Sequence, residues 1–124
     1  RFYLRELPPL LAVIEKIEEP IGTFIIDAYC YLSSNNTPGL GAYLYWAIDQ
    51  RAFVIGVAKN RFKKSTHAEE VFRGRSERAL FVTSMGICQK EAAAKIASMA
   101  GSNRIPILLK AADQFARAGI FKQI

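Results

Sequence analysis

The fold of this chain follows from two apolar runs, FIID at residues 24–27 and VIGVAK at residues 54–59. All residues of each run except the last are apolar, and such a pattern is typical of a strand buried on both faces of a sheet. Each run ends in a charged residue, Asp27 in the first and Lys59 in the second. Because chemistry in α/β sheets gathers at the carboxyl ends of strands, these two residues are the first candidates for a functional site.

Helical patterns surround these two strands. We predict helices over residues 6–18, 39–50, 89–99 and 107–118, and a hairpin of strands at 71–73 and 80–83 around a turn at 74–77. Pro8 and Pro9 fit the first turn of the first helix, where the missing N–H groups cost little. Strands joined by crossover helices imply a partly parallel sheet, so the predicted class is α/β.

Length and net charge limit the size of the core and the kinds of partner that the protein could bind. The 124 residues, 51% of them hydrophobic, suffice for one domain with one core. Lys and Arg number 17 against 11 Asp and Glu, which gives a net charge of +6. This excess favours a polyanion such as nucleic acid or phosphate, although many ordinary domains reach the same charge without one.

Cysteine and histidine usage narrows the chemistry. Cys30 and Cys88 lie in apolar runs, which is typical of buried free thiols and favours a reducing, cytoplasmic location. The chain has one histidine, His67, in a polar stretch where we expect it to be exposed, and this argues against a His-based zinc site. No run approaches the ~20 apolar residues of a membrane span, so we predict no membrane partner.

Three residues could carry chemistry, and each has a structural alternative. Asp27 at the end of a buried strand needs a partner, either a divalent cation or an ion pair or helix cap. Lys59 could contact a phosphate or be a solvated lysine. Glu6 stands at a predicted helix start, where the helix dipole already favours an acid. Gly56 would permit close approach of another backbone or a ligand.

Seven basic residues form two clusters that suit backbone phosphates, or alternatively a solvated basic face. The clusters are Lys59, Arg61, Lys63 and Lys64, and then Arg73, Arg75 and Arg78. Phe62, inside the first cluster, could stack on a base. The PGLG sequence at residues 38–41 opens a helix whose N–H groups could bind an anion or lie near a backbone, but it lacks the Gly-Lys-Ser/Thr of a P-loop.

In order and spacing these motifs resemble endonuclease V over nearly the whole chain. The motifs that carry the resemblance are Arg5-Glu6 followed by Pro8, Ile26-Asp27, the glycine-rich helix start at 39–44, IGVAK at 55–59, LFVTS at 80–84, Arg104-Ile105-Pro106, and Lys110, Ala112 and Asp113.

The resemblance implies an RNase H-like, three-layer α/β fold with a mixed sheet. It implies an endonuclease that cleaves DNA or RNA near deaminated bases such as inosine, in DNA repair, with Mg²⁺ or alternatively Mn²⁺. By the same resemblance, Asp27 binds the metal, Glu6 is the second acid near the metal and its water, and Lys59 lies at the scissile phosphate. Asp113 would lie beside the site, where the family has His or Asp.

The chain also departs from that family's pattern. The family's first core strand, with a further metal-binding aspartate, and its aromatic wedge would both precede Arg1, so we expect residues 1–124 to be one endonuclease V-like domain without its N-terminal strands. Ala28 replaces a glycine, SSNN at 33–36 replaces a His-Pro-Arg stretch, and Tyr43 stands where the family often has histidine. Two other functions stay open: a non-catalytic nucleic-acid-binding relative and an enzyme acting on a phosphorylated small molecule.

Overall fold

A four-stranded mixed sheet forms the centre of the computed structural model, which describes residues 2–18, 21–63, 65–75 and 77–99. Its strands are β1 (Thr23–Ile26), β2 (Phe53–Ala58), β3 (Glu69–Val71) and β4 (Leu80–Met85), in the spatial order β1-β2-β4-β3. The β1 and β2 strands are parallel, whereas β4 pairs antiparallel with both β2 and β3. The predicted partly parallel sheet is confirmed.

Helices cover both faces of this sheet. They are α1 (Phe2–Ile14), α2 (Leu40–Ala47) and α3 (Gln89–Ala97). Residues of α1 and α2 pack against Phe24, Ile26 and Val54 on one face. On the other face, Ala92 and Ile96 of α3 belong to the cluster that also holds Ile25, Ile55 and Val57. Successive residues of a strand point to opposite faces, and residues 24–26 and 54–58 are all buried between these helices. The three-layer α/β class is therefore confirmed.

The first helix differs from its prediction. It begins at Phe2 rather than at residue 6, and Pro8 and Pro9 lie inside it rather than in its first turn. An internal proline cannot donate to the carbonyl four residues earlier and normally destabilises a helix. Here the helix continues because its apolar stripe, including Tyr3, Leu7 and Ile14, packs on the core, and tertiary burial outweighs local propensity.

The other element boundaries moved less. The first hairpin strand lies at Glu69–Val71, two residues before its predicted position, and pairs with β4 as expected of a hairpin. The predicted helix at 107–118 lies outside the described residues. Within the described ranges, no helix combines the length and the hydropathy that a membrane crossing requires.

An open cavity of about 620 Å³, with both apolar and charged walls, lies between α1, α2 and the amino-terminal ends of β1 and β2. Its walls include Ile14, Phe24, Ile48 and Ala52. Because Asp27 and Lys59 follow the opposite, carboxyl ends of these strands, this cavity is separate from the candidate site.

Candidate functional site at the carboxyl ends of β1 and β2

Asp27 and Lys59 lie at the same edge of the sheet. Ile26, the last residue of β1, is the parallel partner of Gly56, and Ala58 ends β2 two residues further on. Asp27 therefore follows one strand directly and Lys59 follows its neighbour directly. Asp27 is an exposed residue, whereas Lys59 is half-buried.

The chain after Asp27 turns back across the sheet over Gly56. The Cys30 amide donates a 2.8 Å hydrogen bond to the Thr83 hydroxyl. A Cβ atom at Gly56 would lie 2.9 Å from that hydroxyl oxygen and 3.0 Å from the Cys30 nitrogen, and closer still to the Ala28 carbonyl oxygen. Of the two uses that the sequence left open for Gly56, the structure shows the approach of a backbone.

The glycine-rich start of α2 fixes the same turn. The Gly39 amide donates to the Cys30 carbonyl at 2.8 Å, and the Gly41 amide donates to the Tyr29 carbonyl at 3.1 Å. These N–H groups bind the protein's own carbonyls, so of the two uses that the sequence left open for this helix start, the structure shows contact with a backbone.

Cys30 is enclosed by this arrangement. Burial raises the pKa of its thiol to about 12, and hydrogen bonds from Thr83 and Gly56 only partly oppose the shift. The thiol lies 3.7 Å from the Val54 carbonyl oxygen, to which it donates. A thiol with so high a pKa is a packing group and not a nucleophile at neutral pH. Cys88 is a second free cysteine. It is exposed, whereas the sequence predicted that it is buried.

Tyr29 connects the turn after Asp27 to the segment after Lys59. Its hydroxyl donates to the Asn60 carbonyl at 2.8 Å and accepts from the Phe62 amide at 3.0 Å. Burial raises the pKa of the Tyr29 phenol, while the Phe62 amide and the Arg61 charge act in the opposite direction. The phenol therefore keeps its proton at neutral pH and remains a donor. Sequence reasoning missed this residue, whose one visible signal was an aromatic ring two positions after the strand-end aspartate.

His67 is half-buried, which corrects the expectation that it is exposed. Its ring centroid lies 5.5 Å from that of Tyr29. Its Nε2 atom is hydrogen-bonded to the Tyr31 carbonyl, and since a carbonyl only accepts, this nitrogen carries the proton. The Gln89 side-chain amide donates to the His67 carbonyl at 2.8 Å. His67 thus fixes the chain beyond the first basic cluster to the turn that follows β1.

The first basic cluster is partly committed to internal contacts. We call residues 59–63 the basic segment. Arg61 forms a 3.1 Å ion pair with Glu70, and its guanidinium lies 4.8 Å from the ring centroid of Phe81. Phe62 packs against Tyr29, with its ring centroid 6.1 Å away, so its ring anchors the segment rather than standing free for a base. Lys63 is exposed, with its ammonium 5.3 Å from the Phe62 ring centroid.

The second basic cluster is divided by burial. Arg73 is only 4% exposed, and its guanidinium donates to the carbonyl of Met99, just after α3. This places Arg73 in the structure's interior, away from any backbone phosphate. Arg75 and Arg78 are exposed, which is compatible with phosphate contacts and equally with a solvated basic face. Two further candidates, Lys64 and Asp113, lie outside the described residues.

Glu6 is half-buried on α1, one turn after Tyr3. The Tyr3 ring stacks on Tyr43 of α2, with centroids 3.8 Å apart and planes 13° from parallel. Trp46 meets Tyr43 edge-on, with centroids 5.8 Å apart. These rings fix the helix that carries Glu6 against α2, and Tyr43, at the position where the resembling family often has histidine, acts here as a packing residue.

The described residues do not form a closed metal site. In residues 2–18, 21–63, 65–75 and 77–99 there is no group of three or more His, Cys, Asp or Glu that could hold a metal ion. Mg²⁺ commonly takes only one or two carboxylates and completes its shell with water and substrate phosphate oxygens. Asp27, an exposed residue, has a carboxylate of that kind.

Comparison with solved structures shows a shared fold. The chain is similar to the crystal structure of endonuclease V from Streptomyces avermitilis, with a TM-score of 0.72 and 21% sequence identity. The match covers 94% of this chain and 58% of that one, so the chain spans little more than half the length of the protein it resembles. No protein-family model matches the sequence, and no curated protein matches it significantly. The fold is therefore that of an endonuclease V-like α/β domain.

Proposed function

We propose that the protein is a metal-dependent endonuclease of the endonuclease V type, which hydrolyses phosphodiester bonds of DNA or RNA near deaminated bases such as inosine. The observation that carries this proposal is the parallel register of Ile26 with Gly56. It brings Asp27 and Lys59 to one sheet edge, in a fold similar to that of a solved endonuclease V.

Each residue has a chemical role in this proposal. In hydrolysis, a water oxygen bonds to phosphorus while one bridging P–O bond breaks, and negative charge builds on the phosphoryl oxygens. The Lys59 ammonium contacts one of these oxygens and stabilises the developing charge. The carboxylate of Glu6 orients the water. The resemblance adds Asp113 as a residue that would lie beside the site.

Asp27, with Glu6, would hold Mg²⁺ or, in its place, Mn²⁺. A bound divalent cation supplies charge neutralisation at the phosphate and a more acidic water. The carboxylate oxygens of these two residues are hard donors of the kind that Mg²⁺ prefers.

The exposed cations near the carboxyl ends of the strands would bind the nucleic-acid backbone. Lys63, Arg75 and Arg78 are exposed, and together with Lys59 they form the proposed surface. Arg61 contributes less, because Glu70 already neutralises part of its charge. We leave out Arg73, since its guanidinium is buried.

We also place the reaction in the cytoplasm. Cys30 and Cys88 are both free thiols, and a reducing compartment keeps thiols in that form.

The test is cleavage of inosine-containing and plain oligonucleotides by the full-length protein, with Mg²⁺, with Mn²⁺ and with a chelator. Asp27→Asn removes the metal-binding charge, and Asp49→Asn is its matched control, an exposed aspartate just after α2. We expect metal-dependent cutting that Asp27→Asn lowers at least ~100-fold and that Asp49→Asn leaves intact.

Three outcomes would contradict the proposal. Equal cutting by the wild type and Asp27→Asn would remove the metal role of that residue. Salt-sensitive binding without metal-dependent cutting would instead identify a non-catalytic nucleic-acid-binding relative, and turnover of nucleotides alone would identify an enzyme acting on small phosphorylated molecules.

A further inference from the structure

The hydroxyl of Tyr29 bridges two backbone groups of the basic segment, immediately after Lys59. We infer that Tyr29 is a positioning residue for Lys59, because the bridge fixes the start of the basic segment to the turn that follows Asp27. The role of Tyr29 in catalysis rests on the proposed function. The bridge itself can be tested without any measurement of enzymatic activity.

The bridge is complete on both sides. The hydroxyl donates its one proton to the Asn60 carbonyl at 2.8 Å and accepts the Phe62 N–H at 3.0 Å. These partners are 31 and 33 residues away in sequence, so the bridge joins segments that no local structure connects. Because the hydroxyl is already used in two hydrogen bonds, Tyr29 acts through the backbone and not on the substrate.

Packing fixes the ring as firmly as hydrogen bonding fixes the hydroxyl. Tyr29 is 8% exposed and belongs to a cluster with Ala58, Ala79 and Phe81, against which Phe62 packs. At its other end, Tyr29 follows Asp27 by two residues, and its carbonyl accepts the Gly41 amide. The ring therefore sits between the turn that carries the proposed metal ligand and the segment that carries the proposed phosphate contact.

Lys59 is restrained from both sides as a result. Ala58, before it, is the last residue of β2 and is buried. Asn60, after it, is bound by Tyr29. Without the hydroxyl, the restraint on Asn60 would be lost, and the backbone beside Lys59 would gain freedom. Reaction rates are sensitive to such changes, since a displacement of about 1 Å can lower the rate about 100-fold.

The experiment compares Tyr29→Phe with Tyr31→Phe. Both changes remove one phenolic oxygen, but the described residues provide no hydrogen bond to the Tyr31 hydroxyl, whereas Tyr29 loses two. The first readout is the rate of tryptic cleavage after Lys59, Arg61 and Lys63 in the folded protein. We expect Tyr29→Phe to accelerate it about tenfold, since each lost hydrogen bond favours local opening, and Tyr31→Phe to leave it unchanged.

The second readout is steady-state cleavage of the oligonucleotide, well below the melting temperature of each variant. A positioning role predicts that Tyr29→Phe lowers kcat about tenfold with little change in KM. A merely structural role predicts a lower melting temperature with an unchanged kcat.

The outcomes separate this inference from the proposed function. Unchanged proteolysis in Tyr29→Phe overturns the bridge, whatever the activity. Faster proteolysis with unchanged kcat overturns the positioning role. An inactive wild-type protein overturns the proposed function, and the proteolysis comparison then decides by itself whether Tyr29 restrains the basic segment.

Discussion

The Cys30 amide donates a 2.8 Å hydrogen bond to the Thr83 hydroxyl, and this bond passes over Gly56. The turn after β1 thus meets β2 and β4 at Gly56, where β2 has no side chain. The turn that follows Asp27 rests on this point, so the position of the proposed metal ligand depends on the absence of a methyl group from Gly56.

Gly56→Ala should therefore destabilise the protein strongly. The added Cβ would meet the Ala28 carbonyl and the Cys30 amide, which are backbone atoms that cannot rotate away. We expect a loss of about 3 kcal/mol in the free energy of unfolding, at the upper end of overpacking effects. Gly22→Ala is the control, because nothing lies within 4 Å of its added Cβ. Urea unfolding of both variants measures the difference, and similar stabilities would contradict the packing described here.

Burial of Cys30 should make the protein less stable in alkali. Its folded pKa of about 12 exceeds its ordinary value of 9.0, so the folded state keeps a proton that the unfolded chain loses. The stabilising effect is complete below the unfolded pKa and is lost as the pH rises towards the folded pKa. At about pH 10.5 the loss is about 2 kcal/mol relative to neutral pH.

Urea unfolding at neutral pH and in alkali checks this prediction. Cys30→Ala should be less stable at neutral pH, but its stability should fall less on going to alkali. Cys88→Ala should keep the wild-type pH dependence, because Cys88 is exposed. Equal pH dependence in all three proteins would show that Cys30 ionises alike in the folded and unfolded states.

Lys59→Met should lower kcat for oligonucleotide cleavage by about 100-fold or more, while the protein stays folded. The proposed contact forms with charge that develops during the reaction, so KM should change little. Lys95→Met, in the last turn of α3, removes an equal charge from an exposed helix position. A similar kcat in the two variants would separate Lys59 from the reaction.

Arg75→Gln should weaken binding of nucleic acid and lower its salt dependence. Each phosphate contact adds about 0.9 to the slope of log K against log salt, so the variant should lose about one from that slope. Lys16→Gln removes an exposed charge after α1 and should leave the slope unchanged. The measurement is a titration of a labelled oligonucleotide over a range of salt concentrations, and equal slopes for Arg75→Gln and the wild type would exclude the contact.

The sequence did not predict which individual polar side chains are buried. Arg73 and Arg75 are two positions apart in one basic cluster, yet Arg73 is buried against the Met99 carbonyl and Arg75 is exposed. The path of α3 decides this difference. Likewise, two prolines predict a helix start, but the core accepts a helix that begins six residues before Pro8.

The sequence by itself determined the α/β class and the edge at which Asp27 and Lys59 follow their strands, because continuous apolar runs report burial on both faces without any distant contact. Only the tertiary structure decided that Tyr29 bonds to Asn60 and Phe62, and that Cys30 bonds to Thr83, 53 residues away. The local pattern of apolar residues indicates which faces of each helix or strand are buried. The partners of a buried hydroxyl or amide depend on which distant segment packs beside it, and the residue type at one position does not specify that segment.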